Sequence, residues 1–276
     1  MTESDVAGRE QRNVRLLVAY DGTDFRGFAQ SDGVRSIMGV LSVAVAQITR
    51  VSAESLELVG SGRTDAGVHG WGQVVNGLIP ADTDLYRLSA SINQLLRPEV
   101  SVREVEWAAP DFSARFSATS RTYRYFIWND RSPNPLLARH AWHLGPPLDL
   151  DAMNEAALSF RGDHDFSSFC RKPKPGPGYG QPSMKRTLQA AHWTREPWLD
   201  TDPSPLLRFE VTATSFCHQM VRSMVGTLVD VGFGRLAVDS MSAVLAERHR
   251  NAAGQVAPPH GLMFHAVGFD GRRWDA

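Results

Sequence analysis

Lysine is almost missing from this chain: among its 29 basic side chains only Lys172, Lys174 and Lys185 are not arginine. Its positive charge is therefore guanidinium, a planar group that pairs bidentately with phosphates rather than acting as a point charge. Cysteine is scarcer, with Cys170 and Cys217 alone. Two thiols so far apart in sequence are too few for a disulfide framework or a Cys-rich zinc site, and no metal is expected. No run approaches the roughly 18 apolar residues of a membrane span. The first 13 residues are polar and lack the apolar stretch of a secretory signal, so we expect a disordered tail over 1–13, a cytoplasmic location and no membrane contact. Nor is there an excess of positive charge: the formal net charge is −1, which argues against a surface built throughout for nucleic acid.

What is present is an ordinary globular balance, 42% hydrophobic and 21% charged residues over 276 positions, enough for one large domain or two ordinary ones. The distribution of charge says more than its sum. Between 113 and 143, Arg115, Arg121, Arg124, Arg131 and Arg139 are accompanied by a single acid, Asp130, and a second basic stretch runs from Arg171 to Lys174 and again at Lys185-Arg186. Such clusters are either solvated faces or phosphate contacts. Residues 171–183, rich in proline and glycine, read as an irregular surface insertion.

Apolar spacing supplies the elements. Residues 14–20 read as a strand; Ile37, Val40, Leu41, Ala44, Val45 and Ile48 then recur at helical spacing, with Ser36 placed as N-cap. Short strands are expected at 56–59 and 73–75. A second helical stripe, Leu85, Leu88, Ile92 and Leu95, stops at Arg97-Pro98, before a strand over 100–107. The second half repeats the style, with strands at 121–128, 188–194 and 206–214, helices near 151–160 and 218–231, a short helix from Ser240 and a last strand over 262–269. Strands alternating with single helices indicate an α+β class, helices lying on one face of a mainly antiparallel sheet. The boundary is placed near 110–113, giving subdomains 14–112 and 113–276.

The most informative segment is the loop 60–70, Gly-Ser-Gly-Arg-Thr-Asp-Ala-Gly-Val-His-Gly, set between two apolar runs. Gly60, Gly62, Gly67 and Gly70 permit backbone angles closed to other residues and let a ligand approach the main chain. In an extended segment Arg63 and Asp65 share a face, so guanidinium and carboxylate look into the same space. Either Asp65 is a reactive carboxylate, or it caps the N–H groups of a tight turn.

The wording of the loop goes further. Gly62-Arg63-Thr64-Asp65-Ala66-Gly67-Val68-His69 followed by Gly72-Gln73-Val74-Val75 resembles the signature of the tRNA pseudouridine synthase A family. So do Tyr20-Asp21-Gly22-Thr23 with Gly27-Phe28, the block from Asp111 to Ala118 with Arg121-Thr122-Tyr123-Arg124-Tyr125, and the run from Phe216 to Gly226. The four blocks occur in family order between Val14 and Phe269. Departures are Met38 and Gly77, where glutamine and the phenylalanine of a His-Phe pair are frequent, and Ala29-Gln30; they touch contacts to RNA or to a partner subunit rather than the reacting group.

The resemblance implies a pseudouridine synthase fold, two ferredoxin-like α/β subdomains sharing a sheet with a central cleft, and isomerisation of uridine at tRNA positions 38 to 40 by a homodimer without a cofactor. It implies Asp65 as nucleophile at C1′ or as the base that gives a glycal, and Tyr123 as the ring stacking on the uracil, with its hydroxyl near the C5 proton. It further implies Arg222 as the ion-pair partner of Asp65 and Arg63 as the side chain filling the space of the flipped base. Arg115, Arg121, Arg124, His69 and His218 are candidate tRNA contacts, and the insertion 171–183 is expected to order on RNA. By pattern alone Tyr123 reads as a core aromatic, the other reading of Arg222 is a surface arginine pairing with Asp230 or a phosphate, and that of His69 is a fastener of the loop. Gly226, one turn beyond Arg222, is expected to leave open space beside it. Two other classes are weighed: a non-catalytic tRNA-binding protein on the same scaffold, against which stands the presence of Asp65, Tyr123 and Arg222 together, and a sugar hydrolase. The hydrolase needs a second acid as proton donor, and the spacing of Asp21, Asp24 and Asp111 does not support one.

Overall fold

The computed structural model describes residues 9–171, 182–199, 201–270 and 272–274. The chain divides into two units, 1–119 with 264–276, and 120–263. The sequence places the division a few residues earlier and leaves the last strand in the second subdomain; here that strand crosses over, and from Phe264 onward it belongs with the first unit. Of the expected N-terminal tail, residues 11–13 are already strand, while the first eight residues, like most of the insertion 171–183, lie outside the described residues.

The first unit opens with β1 (Gln11–Tyr20), α1 (Ile37–Thr49), β2 (Val59–Gly60), β3 (His69–Pro80), α2 (Leu85–Leu96) and β4 (Val100–Trp107). The second contains most of β5 (Ala118–Trp128), then β6 (Trp142–His143), α3 (Leu150–Leu158), β7 (Gly162–Asp165), β8 (Lys185–Arg195), β9 (Leu206–Ala213), α4 (Met220–Gly232) and α5 (Met241–Glu247). The chain closes with β10 (Leu262–Phe269) and β11 (Arg272–Trp274). In the first unit the strand order is β4-β1-β3-β10, with β1 antiparallel to both β3 and β4. In the second it is β5-β9-β8-β7, antiparallel throughout, with β6 added parallel to β5. Each unit is thus the α+β arrangement that the alternation of strands and single helices indicates.

The helices α1, α2 and α3 start where side-chain caps stand. Ser36 accepts the N–H of Gly39 at 3.2 Å, Asp84 that of Arg87 at 3.0 Å and Asp149 that of Ala152 at 2.9 Å, each bond occupying one of the N–H groups a helix start leaves unpaired. Alternate residues of β1 (Val14, Leu16, Val18, Tyr20) meet Val75 and Ile79 of β3, Val100 and Val102 of β4, and the apolar faces of α1 (Ile37, Leu41, Val45) and α2 (Leu88, Ile92) in one core. Burying a side chain of this size contributes about 1.5–3 kcal/mol, so this face holds the unit together and leaves the ends of β2 and β3 to carry a loop. In the second unit α3 packs on β8 and α4, and Trp193 and Phe209 stack with ring centres 5.0 Å apart.

Two sequence expectations change. Leu56 is fully buried at the end of a 3₁₀ turn over Glu54–Leu56, and only Val59 and Gly60 pair with β3, so 56–59 is mostly not strand. β3 in turn is much longer than 73–75. The two cysteines, far apart in sequence, meet: Cys170 and Cys217 form a disulfide with Cα atoms 5.8 Å apart. No framework of bridges results, but neither thiol is isolated.

Candidate active site

The loop between β2 and β3 is fastened from beneath. Gln73, fully buried on β3, accepts the Ser61 hydroxyl at 2.7 Å and donates to the Gly62 carbonyl at 2.9 Å. Thr64 is buried next in line, its hydroxyl 3.0 Å from that of Tyr20 and its carbonyl 3.1 Å from the Phe28 N–H. With Thr64 turned inward, Arg63 is exposed and Asp65 partly exposed on the outer side, which is the shared face expected of residues two apart. Asp65 then opens a turn: its carbonyl accepts the Val68 N–H at 3.2 Å and Gly67, at φ +76°, supplies the positive angle. Burial pushes the Tyr20 phenol up to about 12, opposed by its contacts to Thr64 and Gln73, so it stays a neutral hydroxyl fixing Thr64.

The loop glycines serve a different purpose from the one their number implies. Among the four only Gly67 has a positive φ. Gly60, Gly62 and Gly70 instead leave room for the rings of Phe28, Phe264 and Tyr20; their missing Cβ atoms make space for the protein's own core rather than for a ligand. His69 is 3% exposed, with Nδ1 3.1 Å from the Gly22 amide and 3.2 Å from an Asp21 carboxylate oxygen. It ties the turn after β1 to the loop exit, the fastening alternative for this residue.

Arg115 also belongs to the first unit, its guanidinium 5.2 Å from the ring centre of the exposed Phe116. The other candidates belong to the second. Tyr123, on β5, is 8% exposed and meets the edge of Phe216 at 5.0 Å. Arg121, two residues before it on the same face, donates to the Thr214 carbonyl at 2.8 Å. Arg124 points to the opposite face, where it pairs with Glu210 at 2.7 Å in a chain continued by Arg208 and Glu196. The structure therefore groups Tyr123 with Arg121 and separates both from Arg124. Tyr125, fully buried on Tyr123's face, donates to the Pro258 carbonyl at 2.9 Å, and burial pushes its phenol well up, opposed by the charge of Arg222.

Arg222 lies in the first turn of α4 and is held by the chain at 255–257. Its Nε donates to the Ala257 carbonyl at 2.7 Å, and the Ala257 N–H donates back to the Arg222 carbonyl at 3.0 Å. Gly226 does not leave space beside it: a Cβ there would collide with the Gln255 carbonyl, so the glycine admits this backbone. Asp230, the alternative partner for Arg222, pairs with Arg235 at 3.4 Å. His218 is exposed at the turn before α4, and its carbonyl accepts the Arg171 N–H at 3.0 Å. Among the described residues no group of His, Cys, Asp and Glu is placed to hold a metal ion, and no helix is long and apolar enough to cross a membrane.

A family model described as tRNA pseudouridine synthase matches residues 16–117 and 156–270, taking in the Asp65 loop and the α4 motif. The chain belongs to the tRNA pseudouridine synthase family. Relatives called tRNA pseudouridine synthase A share 39% identity over 256 residues in Chloroflexus aurantiacus, covering 93% of this chain and 88% of the relative. The Rhizobium meliloti protein shares 39% over 262 residues (92% and 98%) and the Bacillus subtilis protein 33% over 257 (93% and 99%).

Within that family, the departures of this member have structural reasons. Asn76 bonds Asn13 at 3.0 Å and the Ala114 N–H at 2.8 Å, fastening the 109–117 segment to the sheet, and Gly77 admits Leu56 and Leu58, which pass directly over it. Met38, in the first turn of α1, is buried in the core. What sequence reasoning missed is the support: Gln73, Thr64 and Phe216. All three sit inside the quoted motifs, so the signal was present, but only their partners reveal that they hold Asp65 and Tyr123 in place.

Proposed function

We propose that the protein isomerises uridine to pseudouridine at positions 38, 39 and 40 of the tRNA anticodon arm. The observation that carries this reading is the Asp65 loop: a partly exposed carboxylate beside an exposed arginine, held on a buried scaffold, within the segment matched by the family model. Asp65 acts on the ribose, either attacking C1′ as the N1–C1′ bond breaks and the uracil leaves with the bonding pair, or removing the 2′ proton to give a glycal. The base turns, C5 bonds to C1′, and the C5 proton departs while N1 gains one. No electrons enter or leave, so the reaction needs no redox cofactor. Tyr123 provides the ring for the detached base, with its hydroxyl serving the C5 proton. Arg222 is assigned as the positively charged partner of the Asp65 carboxylate. Arg63 fills the space left by the flipped nucleotide.

Working as a cytoplasmic homodimer, the enzyme would grip the tRNA through Arg115, Arg121 and His218 on both subunits. Arg124, committed to Glu210, contributes to the sheet rather than to RNA. Mapping pseudouridine by primer extension on a carbodiimide-treated tRNA transcript tests the assignment. Stops confined to 38–40 are expected; modification elsewhere, or none, contradicts it.

A further inference from the structure

We infer that Cys170 and Cys217 form a reversible thiol–disulfide pair that sets the order of the turn before α4 and, through it, the rate of catalysis. The Cα separation of 5.8 Å lies within the span a disulfide bridges without backbone movement. The two sulfurs differ in access: Cys170 is 1% exposed, following Phe169 of an aromatic cluster with Phe160 and Phe166, whereas Cys217 is half-buried. Cys217 is therefore the sulfur that external reagents reach, and Cys170 the one that resolves.

With a small-molecule disulfide as oxidant, the Cys217 thiolate attacks one of its sulfurs and releases one small thiol. The Cys170 thiolate then attacks the Cys217 sulfur and releases the second. Two protein thiols become one disulfide, two electrons pass to the small molecule, and it departs as two thiols. Excess small thiol reverses both steps through the half-buried Cys217 sulfur, the more accessible of the two.

The bond acts on the turn because of its neighbours. Phe216 packs edge-on against Tyr123 at 5.0 Å, and His218 takes the Arg171 N–H. Gln219 starts α4 at φ +63° with no side-chain cap, so this end of the helix depends on contacts from outside it. The disulfide is the covalent one, tying 170–171 to the residues that position Tyr123 and lead into Arg222.

The test compares the full-length protein reduced with dithiothreitol and oxidised with glutathione disulfide, alongside Cys170→Ser and Cys217→Ser. Thiol counting by alkylation and mass spectrometry should find two thiols in the reduced form and none in the oxidised, without mixed disulfide. Hydrogen exchange across 214–222 should be slower in the oxidised form. Its kcat on tRNA should be several-fold higher than that of the reduced form at unchanged KM, and both serine variants should match the reduced form under either treatment. Two alkylatable thiols after oxidation, equal exchange, or equal kcat in the two forms would overturn the inference. The turnover arm rests on the proposed isomerisation. Should no form modify RNA, that reading fails by itself, while thiol count and exchange still decide the pair.

Discussion

Replacing Gln73 by Met keeps the length and bulk of the side chain and removes both polar atoms that fasten the Asp65 loop, while the Tyr20 hydroxyl, which also contacts Gln73, keeps Thr64 as partner. The Ser61 hydroxyl is 3% exposed and would lose its 2.7 Å acceptor, a loss worth about 1–3 kcal/mol for a buried group. Gly62 is only partly buried, so its carbonyl, losing a 2.9 Å donor, rehydrates, and the net cost falls to about 0.5–1.5 kcal/mol. Together the substitution should destabilise by about 2–4 kcal/mol, read from urea midpoints at constant slope. Ser61→Ala and the double variant complete a cycle in which the two residues should couple by roughly 1 kcal/mol, within the range for direct partners. Because the loop carries Asp65, kcat on tRNA should fall at least tenfold while KM moves little. A stability change under about 0.5 kcal/mol, the scatter of independent sites, would refute the fastening; a full loss of stability with unchanged kcat would refute its link to catalysis.

Arg115→Ala should lower the slope of log affinity against log salt by about 0.9, one phosphate's share, whereas Arg124→Ala, which breaks the Glu210 pair, should leave that slope unchanged and lower the urea midpoint; filter binding across a salt series checks both. Burial pushes His260 below its ordinary 6.5, with His140 and Arg222 acting in the same direction and a backbone bond to Ala141 opposing. The unfolded chain therefore takes up the proton first, so stability present above pH 6.5 is lost as pH falls through the folded value. His260→Asn should flatten the urea midpoint below about pH 7, and an unchanged pH profile would place the titration elsewhere.

Much of the scaffold was legible because its signals are local. The α1 stripe behind Ser36, the α2 stripe that stops at Arg97-Pro98 and the strand at 100–107 combine period and punctuation, and each forms at those residues. β7, with the sequence Gly-Asp-His-Asp, carries no apolar period and is strand only because β8 offers it a partner. Leu56 and Leu58 look like a strand but are drawn over Gly77 by tertiary packing. The Asp65 loop stood out by its residue types. The reasons for its glycines did not, since those lie in rings distant in sequence, Phe28, Phe264 and Tyr20. Likewise nothing in the helical pattern of 217–231 reveals that the space beside Gly226 holds the chain at 255–257.

Whether Asp65 carries out the isomerisation is decided by tritium release from tRNA labelled at uridine C5, with wild type and Asp65→Asn assayed side by side. Release is expected from the wild type and not from the variant, with tRNA affinity of the two within about tenfold, or roughly 1.4 kcal/mol. Release by Asp65→Asn at a comparable rate, or no release by the wild type while it still binds tRNA, would contradict that role for Asp65.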